Sequence, residues 1–163
     1  NYDLEKIKQA FLYADKLHEG QYRLSGEAYI SHPVQVAKIV AELGLDTDSI
    51  CAAFLHDTVE DCAEKTDLDK IKKQFGEEVA MLVDGLTKIT PIDVSEKEEA
   101  HIETIRKMLF AMSKDIRVII IKLCDRLHNM RTLYAKPENK RRITALETMQ
   151  VFAFCRAVMH LLR

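Results

Sequence analysis

Apolar residues recur at helical spacing along most of the chain. The first such stripe, near the amino terminus, consists of Leu4, Ile7, Phe11, Ala14 and Leu17. Recurrence at three and four positions is the pattern of an amphipathic helix with one face on a core. We therefore expect the chain to begin with a helix over residues 3–18.

Capping and breaking residues divide the rest of the pattern. Two glycines within residues 19–31 predict a loop. Pro33 suits the first turn of a second helix, which we expect to stop at Gly44. The charge-rich segment 90–100 contains a proline and predicts a mobile loop. Further helices are predicted at about 48–61, 67–75, 77–89, 101–112, 115–135 and 138–162.

The segment that begins at Val118 is ambiguous, because four consecutive β-branched residues could form a buried strand. Helical spacing continues through Leu123, Leu127 and Met130, which favours a helix with these residues towards the core. Five glycines and three prolines supply few turns for an all-β fold. The predicted fold is therefore all-α, a bundle of seven or more helices with at most a minor β element.

The composition is that of an ordinary globular protein. The 163 residues suit one domain, 1–163, with 47% apolar and 31% charged residues. No apolar run approaches the roughly 20 residues that cross a bilayer, and a net charge of −2 gives no general attraction to nucleic acid. The four cysteines form no Cys-x-x-Cys pair, which favours scattered thiols over a zinc finger. We expect a cytoplasmic protein with neither a membrane nor a nucleic-acid partner.

Positive charge is concentrated towards the carboxyl terminus. Residues 117–142 contain eight basic residues against two acidic ones, Asp125 and Glu138. A local field of this kind suits a small polyanion. For the consecutive basic residues 140–142 we favour the simpler interpretation of a solvated helix face.

The segment FLHDTVED, residues 54–61, places four metal-binding or proton-transferring groups in an apolar run. On one helix His56 would lie above Glu60, and Asp57 above Asp61, since residues four apart share a face. Carboxylates this crowded resist burial unless a cation holds them. Histidine with aspartate suits Mn, Fe or Zn better than Ca, so the segment predicts a divalent metal site.

A second polar stripe follows in the helix predicted at 115–135. Asp125, Asn129 and Thr132 share one face, and Asp125 is costly to bury among apolar residues without a partner. It is a candidate metal ligand, although an ion pair with a neighbouring lysine or arginine would also satisfy it. His128 falls on another face and is interpreted as structural or solvent-facing.

The order His32, then His56–Asp57, then Asp125 is the signature of the HD phosphohydrolase superfamily, which this chain resembles. A single His before Pro or a single His-Asp pair would be weak evidence, because caps and chance supply many. The closer resemblance is to the hydrolase domain of the RelA/SpoT family, the (p)ppGpp synthetase/hydrolases, over about residues 2–150. The segments that resemble it are GQYRLSGEAYISHPVQVAKIVAELGLD, AAFLHDTVEDC, FGEEVAMLVDGLTKI and DIRVIIIKLCDRLHNMRTL.

The resemblance implies an HD-domain hydrolase that uses Mn²⁺ to remove the 3′-pyrophosphate of guanosine tetra- or pentaphosphate. The products are GDP or GTP and pyrophosphate. The family's metal ligands fall on His32, His56, Asp57 and Asp125. Its water-activating pair falls on Glu60 and Asp61. Its guanine- and nucleotide-contacting positions fall on Arg23, Ser25, Asn129 and Thr132.

Two departures from the family accompany this match. Leu24 stands where the family often has a lysine, which removes one phosphate-facing charge. The ending FAFCRAVMHLLR differs from the family's usual continuation. Because the chain opens without Met, we expect a domain excised from a longer bifunctional protein with a synthetase domain in cis.

Two other functions remain open at this point. A nucleotide-sensing domain with little turnover would be expected to have a broken ligand set, and every ligand and water-activating position is filled here. A hydrolase of another nucleotide, such as a dNTP or NADPH, is disfavoured by the segments YRLSGE and DRLHNMRTL. The sequence leaves the oligomeric state open.

Overall fold

Helices make up most of the structure, a computed structural model that describes residues 1–88, 106–107, 109–111 and 113–161. They are α1 (Leu4–Leu17), α2 (Ser31–Glu42), α3 (Thr47–Leu55), α4 (Thr58–Asp61), α5 (Leu68–Phe75), α6 (Glu77–Lys88), α7 (Ile116–Arg131) and α8 (Glu138–Leu161). A 3₁₀ turn, Leu133–Ala135, separates α7 from α8. The only β feature of the described residues is an antiparallel bridge between Tyr22 and Ala28. The predicted all-α fold is confirmed.

Some sequence predictions fall outside the described ranges. The loop predicted at 90–100 lies wholly outside them, as does most of the helix predicted at 101–112, although residues 106–107 and 109–111 are helical. The segment that begins at Val118 is helical, as predicted. Among the described helices, none has the length and apolar character needed to cross a membrane.

Aspartate side chains begin four of the helices. Asp3, Asp46, Asp67 and Asp115 each accept a hydrogen bond from a first-turn amide, at 2.8–3.0 Å. Such caps satisfy amides that have no partner within the helix. Between α5 and α6, Gly76 has a φ of 96°, a conformation that a side chain would strain. The chain therefore turns there, as the sequence predicted.

Helix α3 lies at the centre of the fold. Its residues 49–55 are all buried, and it packs against α1, α2, α6 and α7. A helix that is covered on every side is apolar all round, which explains the uninterrupted apolar run of residues 50–55. Helix α7 packs in turn against α2 and α6. The carboxyl end of α3 is thus enclosed by the elements that carry the other candidate site residues.

The third predicted helix is interrupted. A turn formed by His56 and Asp57 separates α3 from α4. The His56 Nδ1–H donates to Ala53 O at 2.8 Å, and the Thr58 hydroxyl donates to Leu55 O at 2.7 Å. Both side chains compete for carbonyls that would accept the amides of a continuing helix. The prediction that this segment forms one continuous helix is therefore wrong.

Helix α7 presents a different face to the core than its apolar spacing predicted. Leu127 and Met130 are 38% and 37% exposed, so the prediction that they face the core is wrong. Cys124, Asp125 and His128 are buried instead. The two polar residues can be buried because each finds a partner inside the protein.

Candidate metal centre and adjoining cleft

The four predicted ligands converge from three parts of the fold. His32 lies in the first turn of α2, His56 and Asp57 lie between α3 and α4, and Asp125 lies in the middle of α7. Ligand atoms of His32, His56 and Asp57 all lie within 4.8 Å of one another. Asp125 Oδ1 lies 3.2 Å from His32 Nε2 and 3.9 Å from His56 Nε2. The fold therefore gathers two imidazoles and two carboxylates at one point.

The imidazole of His56 is oriented as in a metal ligand. Its Nδ1 lies 2.8 Å from Ala53 O, and because a carbonyl can only accept, Nδ1 carries a hydrogen. The other nitrogen, Nε2, is buried 3.0 Å from Asp57 Oδ2. It makes no hydrogen bond of acceptable geometry within the described residues. In the neutral ring, Nε2 would carry a lone pair directed at the carboxylates. A metal-binding histidine has this arrangement, with one ring nitrogen bonded to a carbonyl and the other free for the metal.

The charges of the ligand side chains suit the binding of a cation. Burial lowers the pKa of His56, but the charges of Asp57 and Asp125 outweigh it and raise that pKa to about 9. Burial raises the pKa of Asp57, but His56 outweighs it and holds that pKa well below its usual range. The pKa of Asp125 is held low against burial, mainly by Lys122 and His32. Both carboxylates are thus ionised at neutral pH, and a divalent metal fits where a proton on His56 would otherwise sit.

His128 lies against His32. Its side chain is buried, and its Nδ1 lies 2.7 Å from His32 Nδ1. Burial lowers the pKa of both imidazoles, that of His128 to about 4, so both rings are neutral and one Nδ1–H donates to the other. With His32 as the donor, its Nε2 is a lone pair available to a metal. The structural interpretation of His128 fits this contact, and the solvent-facing one is wrong.

The two carboxylate oxygens of Asp125 have different partners. Oδ1, on the side of the histidines, accepts from Asn129 Nδ2 at 2.6 Å. Oδ2 lies 3.4 Å from Lys122 Nζ and 3.3 Å from Arg126 Nε. Arg126 also binds Glu147 of α8, at 2.8 Å. The ion pairs of Asp125 with its basic neighbours therefore coexist with its place at the candidate metal centre.

The predicted water-activating pair lies on α4. Glu60 and Asp61 are both exposed. Tyr29, which no sequence pattern singled out, has its hydroxyl oxygen 2.8 Å from both Asp61 Oδ2 and Asp57 Oδ2. Burial, and then these two charges, raise the pKa of the Tyr29 phenol, which is therefore a neutral donor. Its only signal in the sequence is its place three residues before His32.

A polar cleft of about 250 Å³ adjoins the centre. All four predicted substrate-contacting residues line it, namely Arg23, Ser25, Asn129 and Thr132. Tyr29 lines it too and thereby connects it to the metal centre. Arg23 Nη2 lies 3.2 Å from Thr132 Oγ1 and 3.5 Å from Asn129 Oδ1. These contacts hold the loop that precedes α2 against the end of α7.

Within the basic segment 117–142, Lys136 reaches this cleft. Its Nζ donates to Thr144 Oγ1 at 2.9 Å, and burial lowers the pKa of its ammonium. Leu24, one of the two departures noted in the sequence, is 59% exposed and lines the same cleft. Arg117 is instead engaged by three acidic side chains. The segment as a whole is therefore not a free positive surface. Lys136 is a cation of the polar cleft that the sequence did not single out.

A larger apolar cavity, of about 480 Å³, lies between α6 and the residues that lead into α7. Met81, Gly85 and Val118 are among its lining residues. It contains none of the candidate ligands and none of the residues of the polar cleft. The chemistry of the side chains, rather than cavity size, therefore locates the candidate site.

A known protein family matches nearly the whole chain. A family model described as an HD domain matches residues 10–157, a range that includes every candidate metal ligand. This chain belongs to the HD domain family. The arrangement of His32, His56–Asp57 and Asp125 is thus found within the family that the order of these residues predicted.

Curated relatives of this HD domain are named for (p)ppGpp metabolism. The guanosine-3′,5′-bis(diphosphate) 3′-pyrophosphohydrolase of Vibrio cholerae is 51% identical over 152 residues, 92% of this chain and 21% of the relative. The bifunctional (p)ppGpp synthase/hydrolase SpoT of Escherichia coli is 48% identical over 92% of this chain and 21% of its own length. The GTP pyrophosphokinase of Myxococcus xanthus is 47% identical over 93% and 20%, respectively. The HD domain thus spans about a fifth of these relatives, and its resemblance to the RelA/SpoT family is confirmed.

A solved structure also resembles this HD domain. It is that of a metazoan ortholog of SpoT that hydrolyzes ppGpp. The TM-score is 0.77 at 26% sequence identity, and the match covers 96% of this chain and 88% of the other. The two proteins therefore share the helical architecture over nearly their whole lengths.

Proposed function

We propose that this HD domain is a Mn²⁺-dependent (p)ppGpp 3′-pyrophosphohydrolase. It hydrolyses the 3′-pyrophosphate of guanosine tetra- or pentaphosphate and releases GDP or GTP and pyrophosphate. One observation carries the proposal: four candidate metal ligands meet beside a polar cleft that contains an arginine. The names of the curated relatives support the choice of substrate.

His32, His56, Asp57 and Asp125 are the proposed metal ligands. Two imidazoles with two carboxylates suit Mn²⁺ better than Ca²⁺. His56 Nε2 is buried beside the carboxylate of Asp57 and makes no hydrogen bond of acceptable geometry within the described residues, which supports a metal in the place of its proton. When bound, Mn²⁺ would polarise the attacked phosphate and offset its negative charge.

Glu60 and Asp61 are proposed to accept the proton of the attacking water. Both lie on α4, directly after the turn that contains Asp57. A general base must first reach the proton it removes, and its basicity matters after that. Phosphoryl transfer depends on positioning and charge neutralisation more than on covalent catalysis, so a carboxylate held near the attacked phosphate is sufficient.

Arg23, Ser25, Asn129 and Thr132 are proposed to hold the nucleotide. The planar guanidinium of Arg23 is suited to stacking on a purine. Asn129 serves both parts of the site, because its Nδ2 binds Asp125 while its Oδ1 faces Arg23. The cleft and the metal centre are thus joined by one amide side chain, which supports binding of a single ligand across both.

Residues 1–163 are proposed to form one hydrolase domain of a longer chain with a synthetase domain in cis. One HD model covers most of the chain, and one relative is named a bifunctional synthase/hydrolase. We place the activity in the cytoplasm. All four cysteines are free thiols, as expected in a reducing compartment.

Turnover of defined nucleotides tests the proposal. Purified protein loaded with Mn²⁺ is incubated separately with ppGpp, GTP, a dNTP and NADPH, and the products are quantified. We expect equal amounts of GDP and pyrophosphate from ppGpp and little turnover of the others. Absence of ppGpp turnover would overturn the proposal, and preferred turnover of NADPH or a dNTP would support the alternative hydrolase.

Asp57→Ala and Asp15→Ala form a matched pair for this assay. Each removes one carboxylate, but Asp57 is a proposed ligand whereas Asp15 lies exposed on α1. Loss of a residue that hydrogen-bonds to a metal ligand typically lowers activity about 10- to 100-fold. Loss of a ligand itself should therefore lower the activity at least about 100-fold. Equal activity in the two variants would contradict the proposed metal centre. Binding of ppGpp without turnover by the wild-type protein would favour the sensing function.

A further inference from the structure

Tyr29 contacts both the proposed metal centre and the proposed proton acceptor on α4. Its hydroxyl oxygen lies 2.8 Å from Oδ2 of Asp57, a proposed metal ligand, and 2.8 Å from Oδ2 of Asp61, a proposed proton acceptor. These are hydrogen-bond distances between a hydroxyl and a carboxylate. One side chain from the loop before α2 therefore contacts both carboxylates.

Asp61 depends on such a contact because its own helix holds it weakly. Helix α4 has four residues and follows directly on the turn at residues 56–57. A single helical turn closes few hydrogen bonds of its own, and Asp61 is exposed. The bond from Tyr29 fixes the carboxylate of Asp61 relative to that of Asp57.

Tyr29 is itself held on several sides. Its ring stacks on His18, with centroids 4.5 Å apart and planes 25° apart, and approaches His32 edge-on at 6.3 Å. His18 is buried, and its Nδ1 lies 2.7 Å from Gln21 Oε1. The Tyr29 amide donates to Gln21 O at 3.0 Å. The hydroxyl therefore projects from a well-packed base rather than from a free loop.

We propose that Tyr29 is a positioning residue, whose hydroxyl holds Asp61 in a fixed place relative to the metal centre. The hydroxyl has one hydrogen for two carboxylates, so it donates to Asp57 and Asp61 in alternation. The two carboxylates are thereby held close to one another around a single hydroxyl. The role of Asp61 in this inference rests on the proposed function, whereas the orientation of Asp57 does not.

Tyr29→Phe and Tyr13→Phe form the matched pair that tests the inference. Each loses one phenol hydroxyl, and that of Tyr13 lies 2.8 Å from Thr66 Oγ1, outside the site. Mn²⁺ affinity, measured by isothermal titration calorimetry, is a readout that needs no turnover. We expect Tyr29→Phe to weaken Mn²⁺ binding about 10-fold, because partners that orient metal ligands have effects of this size. Tyr13→Phe should bind Mn²⁺ like the wild type.

Steady-state kinetics with ppGpp give the second readout. We expect kcat of Tyr29→Phe to fall about 10-fold and KM to change less than about 3-fold, because the hydroxyl acts on the reacting end of the ligand. In the Asp61→Ala background and at saturating Mn²⁺, Tyr29→Phe should lower kcat little further, since position 61 then has no side-chain acceptor and a positioning residue acts through its partner. Losses that multiply in the double variant would overturn the link to Asp61.

The outcomes separate this inference from the proposed function. Wild-type kcat and wild-type Mn²⁺ affinity in Tyr29→Phe would overturn it. Equal weakening of Mn²⁺ binding in Tyr29→Phe and Tyr13→Phe would attribute the effect to general destabilisation and would also overturn it. An inactive wild-type protein would overturn the proposed function alone, because the two Mn²⁺ affinities would still decide whether Tyr29 orients Asp57.

Discussion

At the scale of single residues, Asp125 serves both the stability of the core and the candidate chemistry. One of its oxygens faces the histidines and Asn129, and the other faces Lys122 and Arg126. Its side chain is 4% exposed. Lys122 pairs with Asp125, whereas Arg126 pairs with both Asp125 and Glu147. Removal of the charge of Asp125 therefore leaves the buried ammonium of Lys122 without its counter-charge.

Asp125→Asn is expected to destabilise the metal-free protein by about 3 kcal/mol, because buried Lys122 loses its ion-pair partner and Arg126 keeps only Glu147. Urea unfolding in the presence of EDTA measures this change in the free energy of unfolding. Asp15→Asn, on exposed α1, is the control and should stay within about 0.5 kcal/mol of the wild type. Equal stability of the two variants would contradict this account of Asp125.

The sequence identified residues whose side chains can bind a metal or transfer a proton. It did not identify the residues that contact and orient those side chains. Asp125 could be singled out because a carboxylate in an apolar helix needs a partner. Tyr29 and His128 act through contacts between distant parts of the chain, the latter with His32, 96 positions away. The contact of His128 depends on how α2 packs against α7, and those of Tyr29 depend on how the loop before α2 packs against α4 and the turn before it. No local periodicity encodes that packing.

At the scale of elements, the boundary between α3 and α4 was missed for a local reason. The segment around it contains neither Gly nor Pro and keeps its apolar spacing. The bonds of His56 to Ala53 O and of Thr58 to Leu55 O end the helix instead. Boundaries with caps or a glycine, such as those at Asp46 and Gly76, could be predicted because these residues act through the backbone.

The packing of α6 on α7 makes Gly85 a sensitive position. A Cβ at Gly85 would lie 2.9 Å from Val118 Cγ2, and a valine in a helix has one strongly preferred rotamer. Gly85→Ala is therefore expected to destabilise the protein by about 1 kcal/mol, although alanine favours helices. Thermal unfolding should show that the same substitution is harmless in a Val118→Ala background. A stabilising Gly85→Ala in the wild type would contradict this packing.

Arg117 ties the amino-terminal ends of three helices together. Its guanidinium lies 2.6 Å from Asp46 Oδ2, 2.7 Å from Glu78 Oε2 and 2.6 Å from Asp115 Oδ2. Burial raises the pKa of Asp46, but bonds from Ser49 and the charge of Arg117 outweigh it and lower that pKa. Hydrogen bonds from Arg117 lower the pKa of Asp115. These carboxyls stabilise the fold above their ordinary pKa of 3.8 and lose that contribution as the pH falls.

Arg117→Met is expected to cost about 1 kcal/mol at neutral pH, since two of the three acids are largely exposed and screened. The difference from the wild type should shrink as the pH falls from about 5 to about 3, because protonation removes the partners of Arg117. Urea unfolding across this range measures it, with Arg142→Met as an exposed control. A difference that is independent of pH would contradict the ion-pair account.

At the scale of the whole molecule, the candidate metal would join three parts of the fold. Its proposed ligands come from α2, the turn between α3 and α4, and α7. These elements are distant in the chain, so the site exists only in the folded protein, and the free energy of metal binding adds to that of folding. The same dependence on folding explains why the sequence predicted the ligands by type and order but not their mutual geometry.

Mn²⁺ is therefore expected to raise the melting temperature of the metal-free protein. At about 100 times its dissociation constant, a ligand that binds only the folded state adds about 2.7 kcal/mol, which corresponds to about 5–10 °C for a chain of this size. Differential scanning fluorimetry measures the shift. Asp57→Ala should abolish it, Asp15→Ala should retain it, and equal shifts in the two variants would place the metal elsewhere.

The central claim is that one metal centre both binds Mn²⁺ and hydrolyses (p)ppGpp. Titration of Mn²⁺ into metal-free protein, with pyrophosphate release from ppGpp and Mn²⁺ binding followed on the same sample, tests it most directly. We predict that the rate rises in parallel with the occupancy of one high-affinity site per chain and that Asp57→Ala shows neither. Pyrophosphate release that is independent of Mn²⁺, or a filled site without any release, would contradict the claim.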